Sequence, residues 1–324
     1  MHQIIPYHII PYHTIPYHTI SYCIITLPSG KKGFGALPAF DSLPIEPSEI
    51  DLVLITHFHI DHCASLPYLT EKIVGFNARV FMTHATKAVM SLIVADYLDL
   101  GAENLEFSKH DLEACLDKIE LIDFHQTKEV RGVKFTPYAA GHVLGAAMFQ
   151  IEVGEVKILY TGDYSMEEDR HLKAAEVPKL RPDVLIVEST YGVQCHNSRE
   201  ERETRFTGTV DEIVRSGGKC LIPVFALGRA QELLLILDEH WQKTPELQKV
   251  PVFYASQLAA KALRVYQTFI NMMNDHIAAR AYVYNPFHFK YIRNIRDASA
   301  LDESGESLCA AFQQLIYASL LFYL

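Results

Sequence analysis

The chain has 324 residues, of which 49% are hydrophobic and 21% charged, and its net charge is -10. The length allows one large domain or two ordinary ones, and the composition is globular rather than disordered or fibrous. The acidic balance argues against a broad nucleic-acid-binding face, which needs Lys and Arg, but leaves room for a local cleft where metal ions supply the positive charge. The six cysteines are scattered without a Cys-x-x-Cys pair, a pattern of reduced thiols in an intracellular compartment. No signal-peptide pattern opens the chain, and the apolar stretch 315–324 is about half the length a bilayer requires, so no membrane partner is expected.

Residues 1–22 repeat the unit Ile-Pro-Tyr-His with a five-residue period. That period fits neither helix nor strand, and Pro6, Pro11 and Pro16 block both. His8, His13 and His18 form a His-rich tract, but an extended tail, or a translated repeat foreign to the native protein, is the preferred reading. From Leu27 onward apolar runs alternate with helical patterns. Strands are predicted at 52–55, 80–82, 118–122, 133–138, 148–153, 157–160 and 184–187, and helices at 63–72, 87–98 and 111–117. A second block follows. Ser198 caps a charged helix through Arg215, Gly217 and Gly218 stop it, and a strand is expected at 220–225. Helix 229–241, strand 252–254 and helix 258–274 complete an α/β layer with parallel pairing. The expected organisation is a repeat tail at 1–26, a first domain at 27–197, a partial second domain at 198–297 and a divergent tail at 298–324.

The chemistry concentrates at strand ends. The strand 52–55 runs into Thr56-His57-Phe58-His59-Ile60-Asp61-His62. His57 and His59 are two residues apart, so in an extended segment they point the same way. Asp61 and His62 then lie where the chain turns into the helix expected from Cys63. A lone histidine after a strand is usually a loop residue, but four potential ligands in six positions suit a metal pair, and imidazole with carboxylate suits zinc. His142 sits between Gly141 and Gly145 after another strand, and Asp163 follows Gly162 after a third. Either alone is ordinarily a turn. Beside the first cluster, both fit the same logic. Glu188, after the run 184–187, falls at the rim of the same site.

The ordered set Thr56–His62, Gly141–Phe149, Tyr160–Tyr164 and Glu188-Ser189-Thr190-Tyr191-Gly192 resembles the metallo-β-lactamase superfamily, in its β-CASP branch. Segments 81–88, 199–203, 222–234 and 265–269 narrow the resemblance to nucleases that act in mRNA 3′-end processing, with the Integrator-type RNA endonucleases as the close second. It covers roughly residues 30–297. The implied fold is a metallo-β-lactamase αββα sandwich with a partial β-CASP α/β domain. The implied activity is zinc-dependent endonucleolysis of pre-mRNA at the polyadenylation site, in the nucleus, beside the other subunits of a cleavage and polyadenylation complex. By resemblance, His57, His59, His142 and Asp163 hold the first zinc. Asp61, His62 and the bridging Asp163 hold the second. Asp61 and Glu188 are the candidate catalytic residues, Glu188 by orienting a histidine that protonates the leaving oxygen.

The sequence departs from that pattern at both ends. The repeats replace an opening strand that ends in an aspartate, and Asp41 lies too far along to serve. None of His196, His240, His276 or His288 stands in the context of the two histidines that follow the inserted domain in the family. The second zinc is therefore one protein ligand short, and return strands are missing, leaving apolar faces uncovered. Two competing readings follow: a non-catalytic scaffold, or a piece of a longer active nuclease.

Overall fold

Leu52, Val53 and Leu54 are all buried, although a strand presents side chains to two faces, so β2 (Leu52–Leu54) must be covered on both sides. The computed structural model shows how. It describes residues 21–22, 45–99, 106–179 and 181–295; most of the repeat tail, Asp41 and the tail from 298 lie outside them. β2 belongs to a four-stranded parallel sheet in the order β1 (Ser21–Tyr22), β2, β3 (Arg79–Met82), β4 (Ile119–Leu121). A second sheet runs β5 (Lys128–Val130), β6 (Val133–Ala139), β7 (Ala147–Val153), β8 (Val156–Tyr160), β9 (Val184–Ile186). Its first four strands are antiparallel and β9 joins β8 in parallel.

The two sheets face each other. Leu52, Leu54 and Phe81 from the first pack with Val133, Phe135, Phe149 and Ile151 from the second, and the rings of Phe81 and Phe135 lie 5.0 Å apart. The alternate residues Val53, Val80 and Met82 turn the other way, into a larger core shared with α3 (His84–Asp99) and α4 (Lys109–Lys118). Burying each such side chain contributes about 1.5–3 kcal/mol, so the two-sided burial of β2 makes it the anchor of the sandwich. The sandwich of two facing sheets, with α3 and α4 on the outer side of the first, is thus built on the two faces of β2 and β3.

The second block contains α5 (Arg199–Arg215), α6 (Arg229–Lys243), β10 (Val252–Ala255), α7 (Gln257–Thr268), α8 (Asp275–Ala281) and β11 (Ile292–Ile295), with β10 and β11 paired in parallel. Ser198 caps α5 by accepting from the Glu201 amide, and Gly217 at φ +78° ends the segment. Leu234, Leu237 and Trp241 of α6 enter the same large core as Val53 and Met82, so one apolar interior runs through both blocks. Polar ties reinforce it. Arg170, in the loop after β8, is paired with Glu203 of α5 and Glu239 of α6, and Arg280 of α8 also binds Glu239 at 2.9 Å. Asn274, the cap of α8, donates to the Asp169 carbonyl at 3.1 Å and to the His171 carbonyl at 2.9 Å.

Four sequence expectations change. The helix expected from Cys63 begins earlier and divides into α1 (Ile60–Cys63) and α2 (Leu66–Glu71), so Asp61 and His62 stand in the first turn of α1 rather than before it. Segment 220–225 is not a strand, having one bridge at Cys220; Ile222 and Val224 pack against the core while Leu221 and Phe225 are 64% and 73% exposed, with no sheet among the described residues to cover them. The helix expected at 258–274 ends at Thr268, because Asn274 is held in extended backbone as the cap of α8. The repeat tail, bounded at 26, contains β1, whose Ser21 and Tyr22 pair with Leu52 and Val53. β5 escaped notice because only Val130 of its three residues is buried. β9 forms the edge of its sheet with Leu185 and Ile186 exposed, an uncovered apolar strip among the described residues. No helix among those residues is long and apolar enough to cross a membrane.

Candidate metal centre

Three strand ends converge. β2 is extended by the Ile55 amide bonding to the Phe81 carbonyl at 3.0 Å, and the Thr56 carbonyl accepts from Ala147, the first residue of β7, at 2.9 Å. That fixes the segment carrying His57 and His59 against the loop carrying His142. Asp163 follows β8, the next strand over. His57 is fully buried, and its Nδ1 lies 3.1 Å from the Thr56 hydroxyl, which leaves Nε2 for the site.

His57 Nε2 is 3.0 Å from His59 Nδ1, and His142 Nε2 is 3.1 Å from the same atom. Asp163 Oδ2 lies 3.8 Å from His57 Nε2 and 3.6 Å from His142 Nε2. Donor atoms of all four residues fall within 4.8 Å of one another. Tetrahedral zinc with bonds of about 2.0–2.1 Å separates its donors by roughly 3.3 Å, and the four contacts bracket that spacing. Three imidazoles cannot satisfy each other by hydrogen bonds around one shared nitrogen, so the donor set fits a cation at its centre.

The other carboxylate oxygen, Asp163 Oδ1, lies 3.6 Å from His62 Nε2, which in turn is 3.5 Å from Asp61 Oδ2. Asp163 therefore presents one oxygen to each group, as a bridging ligand would. Asp61, His62 and Asp163 stand beside the tight quartet without a fourth donor joining that set among the described residues. The buried Nδ1 of His62 has no hydrogen-bond partner among the described residues.

The electrostatics favour neutral ligands. Burial pushes His57 far below the ordinary imidazole value, with His62, His59 and His142 adding to the effect. Burial holds His59 at about 4, against the opposing pull of Asp61, and His142 at about 3; the charge of Arg229 lowers both. These rings are therefore unprotonated and ready to bind metal near neutral pH. Burial raises the Asp163 carboxyl, as do Glu188 and Asp61, while His62 opposes them.

Backbone conformation supports the geometry. His142 has φ +55°, a left-handed conformation uncommon for residues other than glycine. Glu188 approaches the Asp163 loop, where its Oε1 accepts from the Tyr164 amide at 3.2 Å and its Oε2 from the Thr190 amide at 3.4 Å. Neither contact is with a histidine. His240 pairs with Asp211 at 2.8 Å and His196 stacks edge-on against Tyr191, so these two of the later histidines engage elsewhere.

Sequence reading missed His171 and Arg229 as neighbours of the site. Both line the cleft that opens beside His59 and His142. His171 comes from a loop with no strand-end signal, and Arg229 comes from the second block, more than sixty residues beyond Asp163.

Residues 36–186 match the Metallo-beta-lactamase superfamily domain, and residues 230–315 match the Beta-Casp domain. The chain is 52% identical over 294 residues to cleavage and polyadenylation specificity factor 73 of Drosophila melanogaster, a match covering 90% of this chain and 42% of that protein. It is 55% identical over 282 residues to cleavage and polyadenylation specificity factor subunit 3-I of Arabidopsis thaliana, covering 86% and 40% respectively. Against the endoribonuclease YSH1 of Yarrowia lipolytica it is 54% identical over 285 residues, covering 86% and 34%. The chain thus spans between 34% and 42% of the length of these relatives. With a strand-end cluster of histidines and aspartates in the first matched segment and an α/β block in the second, the chain belongs to the metallo-β-lactamase superfamily, in its β-CASP branch.

Proposed function

We propose that this chain is the nuclease portion of a zinc-dependent endoribonuclease that cleaves pre-mRNA at the 3′-end processing site, within a nuclear cleavage and polyadenylation complex. The observation that carries the reading is the convergence of His57, His59, His142 and Asp163 on one point. The relatives named as cleavage and polyadenylation factors and as an endoribonuclease support the substrate class.

In this reading His57, His59, His142 and Asp163 hold the first zinc, and Asp61, His62 and Asp163 hold the second. Zinc there supplies Lewis-acid activation of water and neutralises charge building on the phosphate. The residues do the remainder. Burial keeps the three imidazoles neutral so that their lone pairs stay available. Thr56 fixes the ring of His57 through Nδ1. Glu188 holds the turn that carries Asp163 by accepting from the neighbouring Tyr164 amide. Metal analysis and cleavage of a synthetic pre-mRNA fragment test the proposal. Cleavage that is lost in Asp61→Ala supports it; a chain that takes up no metal overturns it.

One observation favours a second reading, a non-catalytic scaffold. Among the described residues, Asp61, His62 and Asp163 gather no fourth donor, and the hydrogen bonds of Glu188 are to backbone amides. Cleavage by the wild type, lost in Asp61→Ala, would exclude it.

A further inference from the structure

Segment 81–88, Phe-Met-Thr-His-Ala-Thr-Lys-Ala, supplies no ligand to the quartet. Its histidine, His84, is exposed and turns to Asp123 at 3.7 Å. Its two threonines are buried. Thr83 and Thr86 are 1% and 0% exposed, and both hydroxyls meet one atom, the carbonyl oxygen of Gly145, at 2.7 and 3.1 Å.

A threonine at the start of a helix is ordinarily only a cap. Thr83 is one: its hydroxyl accepts from the Thr86 amide at 3.3 Å, and its carbonyl accepts from the Lys87 amide at 3.1 Å, which opens α3. Capping needs one hydroxyl. Thr86 lies inside the first turn, where threonine is a poor helix former, and its hydroxyl meets only Thr83 and Gly145. The two hydroxyl oxygens are 2.9 Å apart and carry one proton each. If Thr83 donates to Thr86, Thr86 donates to Gly145; if Thr86 donates to Thr83, Thr83 donates to Gly145. The carbonyl is served in either case.

Gly145 depends on them. It is buried, and no backbone amide among the described residues reaches its carbonyl. A buried carbonyl without a donor is costly. A Cβ on Gly145 would stand 2.7 Å from the Cβ of Ala85 and 2.8 Å from Thr83 Oγ1, so this residue lies directly on the first turn of α3. The positive end of a sixteen-residue helix suits a carbonyl oxygen. The helix itself is firmly seated, because Val89, Met90 and Val94 share one core with Leu258 and Ala262 of α7.

The loop held in this way carries His142. It joins β6 to β7 and is tied at its base, where the Ala140 carbonyl accepts from the Ser165 amide at 2.9 Å and the Ala140 amide donates to the Ala146 carbonyl at 2.9 Å. Between the base and Gly145 stands His142, whose Nε2 lies 3.1 Å from His59 Nδ1. A working site holds its groups to within about 0.5 Å, which favours support from rigid elements. We propose that Thr83 and Thr86 are positioning residues of the metal centre: their paired hydroxyls tie the Gly145 carbonyl to α3 and keep the loop where His142 joins His57, His59 and Asp163. Neither hydroxyl touches a ligand, so both act through the loop. The assignment rests on the reading of the quartet as a metal site.

The test is titration of the metal-free full chain with cobalt(II), a spectroscopic stand-in for zinc, read by its visible d–d bands, beside urea unfolding of the same metal-free samples. Thr83→Val with Thr86→Val keeps the branched shapes and removes both hydroxyls. Thr83→Ser with Thr86→Ser keeps the hydroxyls and removes two buried methyl groups. The valine pair is expected to weaken cobalt binding about 10–100-fold, the range found when the partner that orients a metal ligand is lost, and to alter the bands at saturation. The serine pair is expected to unfold at lower urea, through its lost methyl groups, yet to bind cobalt as the wild type does. A purely structural role would make affinity follow the urea midpoint in both pairs; positioning makes it follow the hydroxyls. Wild-type affinity in the valine pair overturns the proposal and leaves the metal centre standing. Equal weakening in the two pairs also overturns it, because packing then sets the affinity. If the valine pair does not fold, Thr86→Val is compared with Thr86→Ser and is expected to bind the more weakly; equal affinities overturn the proposal. A wild type that binds no cobalt overturns the metal centre and the positioning role together.

Discussion

A Cβ placed on Gly162 would lie 2.8 Å from the Cβ of Thr56, so the turn after β8 packs directly on the turn after β2. The contact sets the distance between the two halves of the metal centre, since Gly162 precedes Asp163 and Thr56 precedes His57. Gly162 also has φ +55°. Gly162→Ala therefore meets two obstacles, a clash and a left-handed backbone, and something must move. The expected outcome is a loss of about 1–3 kcal/mol and a reduced metal content, read by urea unfolding and elemental analysis. Full metal content in a stable Gly162→Ala protein would show that the two turns are not rigidly coupled.

His57→Ala removes a fully buried ring with Nε2 facing two other ligands. Metal content and stability should fall together, because binding to the folded state alone stabilises it by mass action. At a metal concentration about a thousand times Kd, that linkage amounts to roughly 4 kcal/mol. Chelation should lower the melting temperature of the wild type strongly and that of the variant little. An unchanged metal count in His57→Ala would mean that the ligands are misassigned.

The legible part of this site lies at strand ends. His57, His59, His142 and Asp163 each follow an apolar run that ends at a glycine or a cluster of ligands, and adjacent strands bring such ends to one edge. β2 was readable as a short continuous apolar run, and β6 to β8 as apolar-rich runs bounded by turn residues. His171 and Arg229 were not readable as part of the site. Nothing local marks them, and they reach it only because α6 and the loop after β8 share one core. Segment 220–225 misled for the opposite reason: Cys-Leu-Ile-Pro-Val-Phe is an apolar run like that of a buried strand, yet among the described residues it forms one bridge, at Cys220, and no strand. An apolar run states a preference, and a sheet needs a partner to satisfy it.

The metal-free protein should be acid-sensitive in a defined window. His59 and His142 move from the ordinary 6.5 to about 4 and about 3 on folding, chiefly through burial. Above about pH 6.5 both states hold these rings neutral, and the fold carries no penalty. As pH falls below that value the unfolded chain takes up protons that the folded chain refuses, so stability is lost with falling pH until the folded values are reached. Each ring contributes at most about 1.4 kcal/mol per pH unit. Urea midpoints of the metal-free chain between about pH 7 and about pH 5 measure the slope, and His142→Gln should reduce it by about one ring's share. An identical slope in that variant would show that His142 is solvated and free to protonate in the folded chain.

The pairing of Arg170 with Glu203 and Glu239 gives the last prediction. Arg170 belongs to the loop that follows Asp163, while its partners lie on α5 and α6, and the side chains of all three are only about one-fifth exposed. Arg280 also reaches Glu239, but no second cation is paired with Glu203 apart from Arg199 at 2.7 Å on its own helix. Removing Arg170 takes one of two cations from each carboxylate, leaving Glu203 with Arg199 and Glu239 with Arg280, and unties the loop from the second block. Breaking a well-buried pair costs about 3–5 kcal/mol, and partial exposure lowers that, so Arg170→Ala should cost roughly 2 kcal/mol. Arg170→Met, which keeps the bulk, should lose nearly as much, because the penalty comes from the cation that each carboxylate loses and not from a cavity. The double variant Arg170→Met with Glu239→Gln should then recover part of the loss. If it does not, the network is a surface decoration, and the apolar core through α6 alone holds the second block against the metal centre.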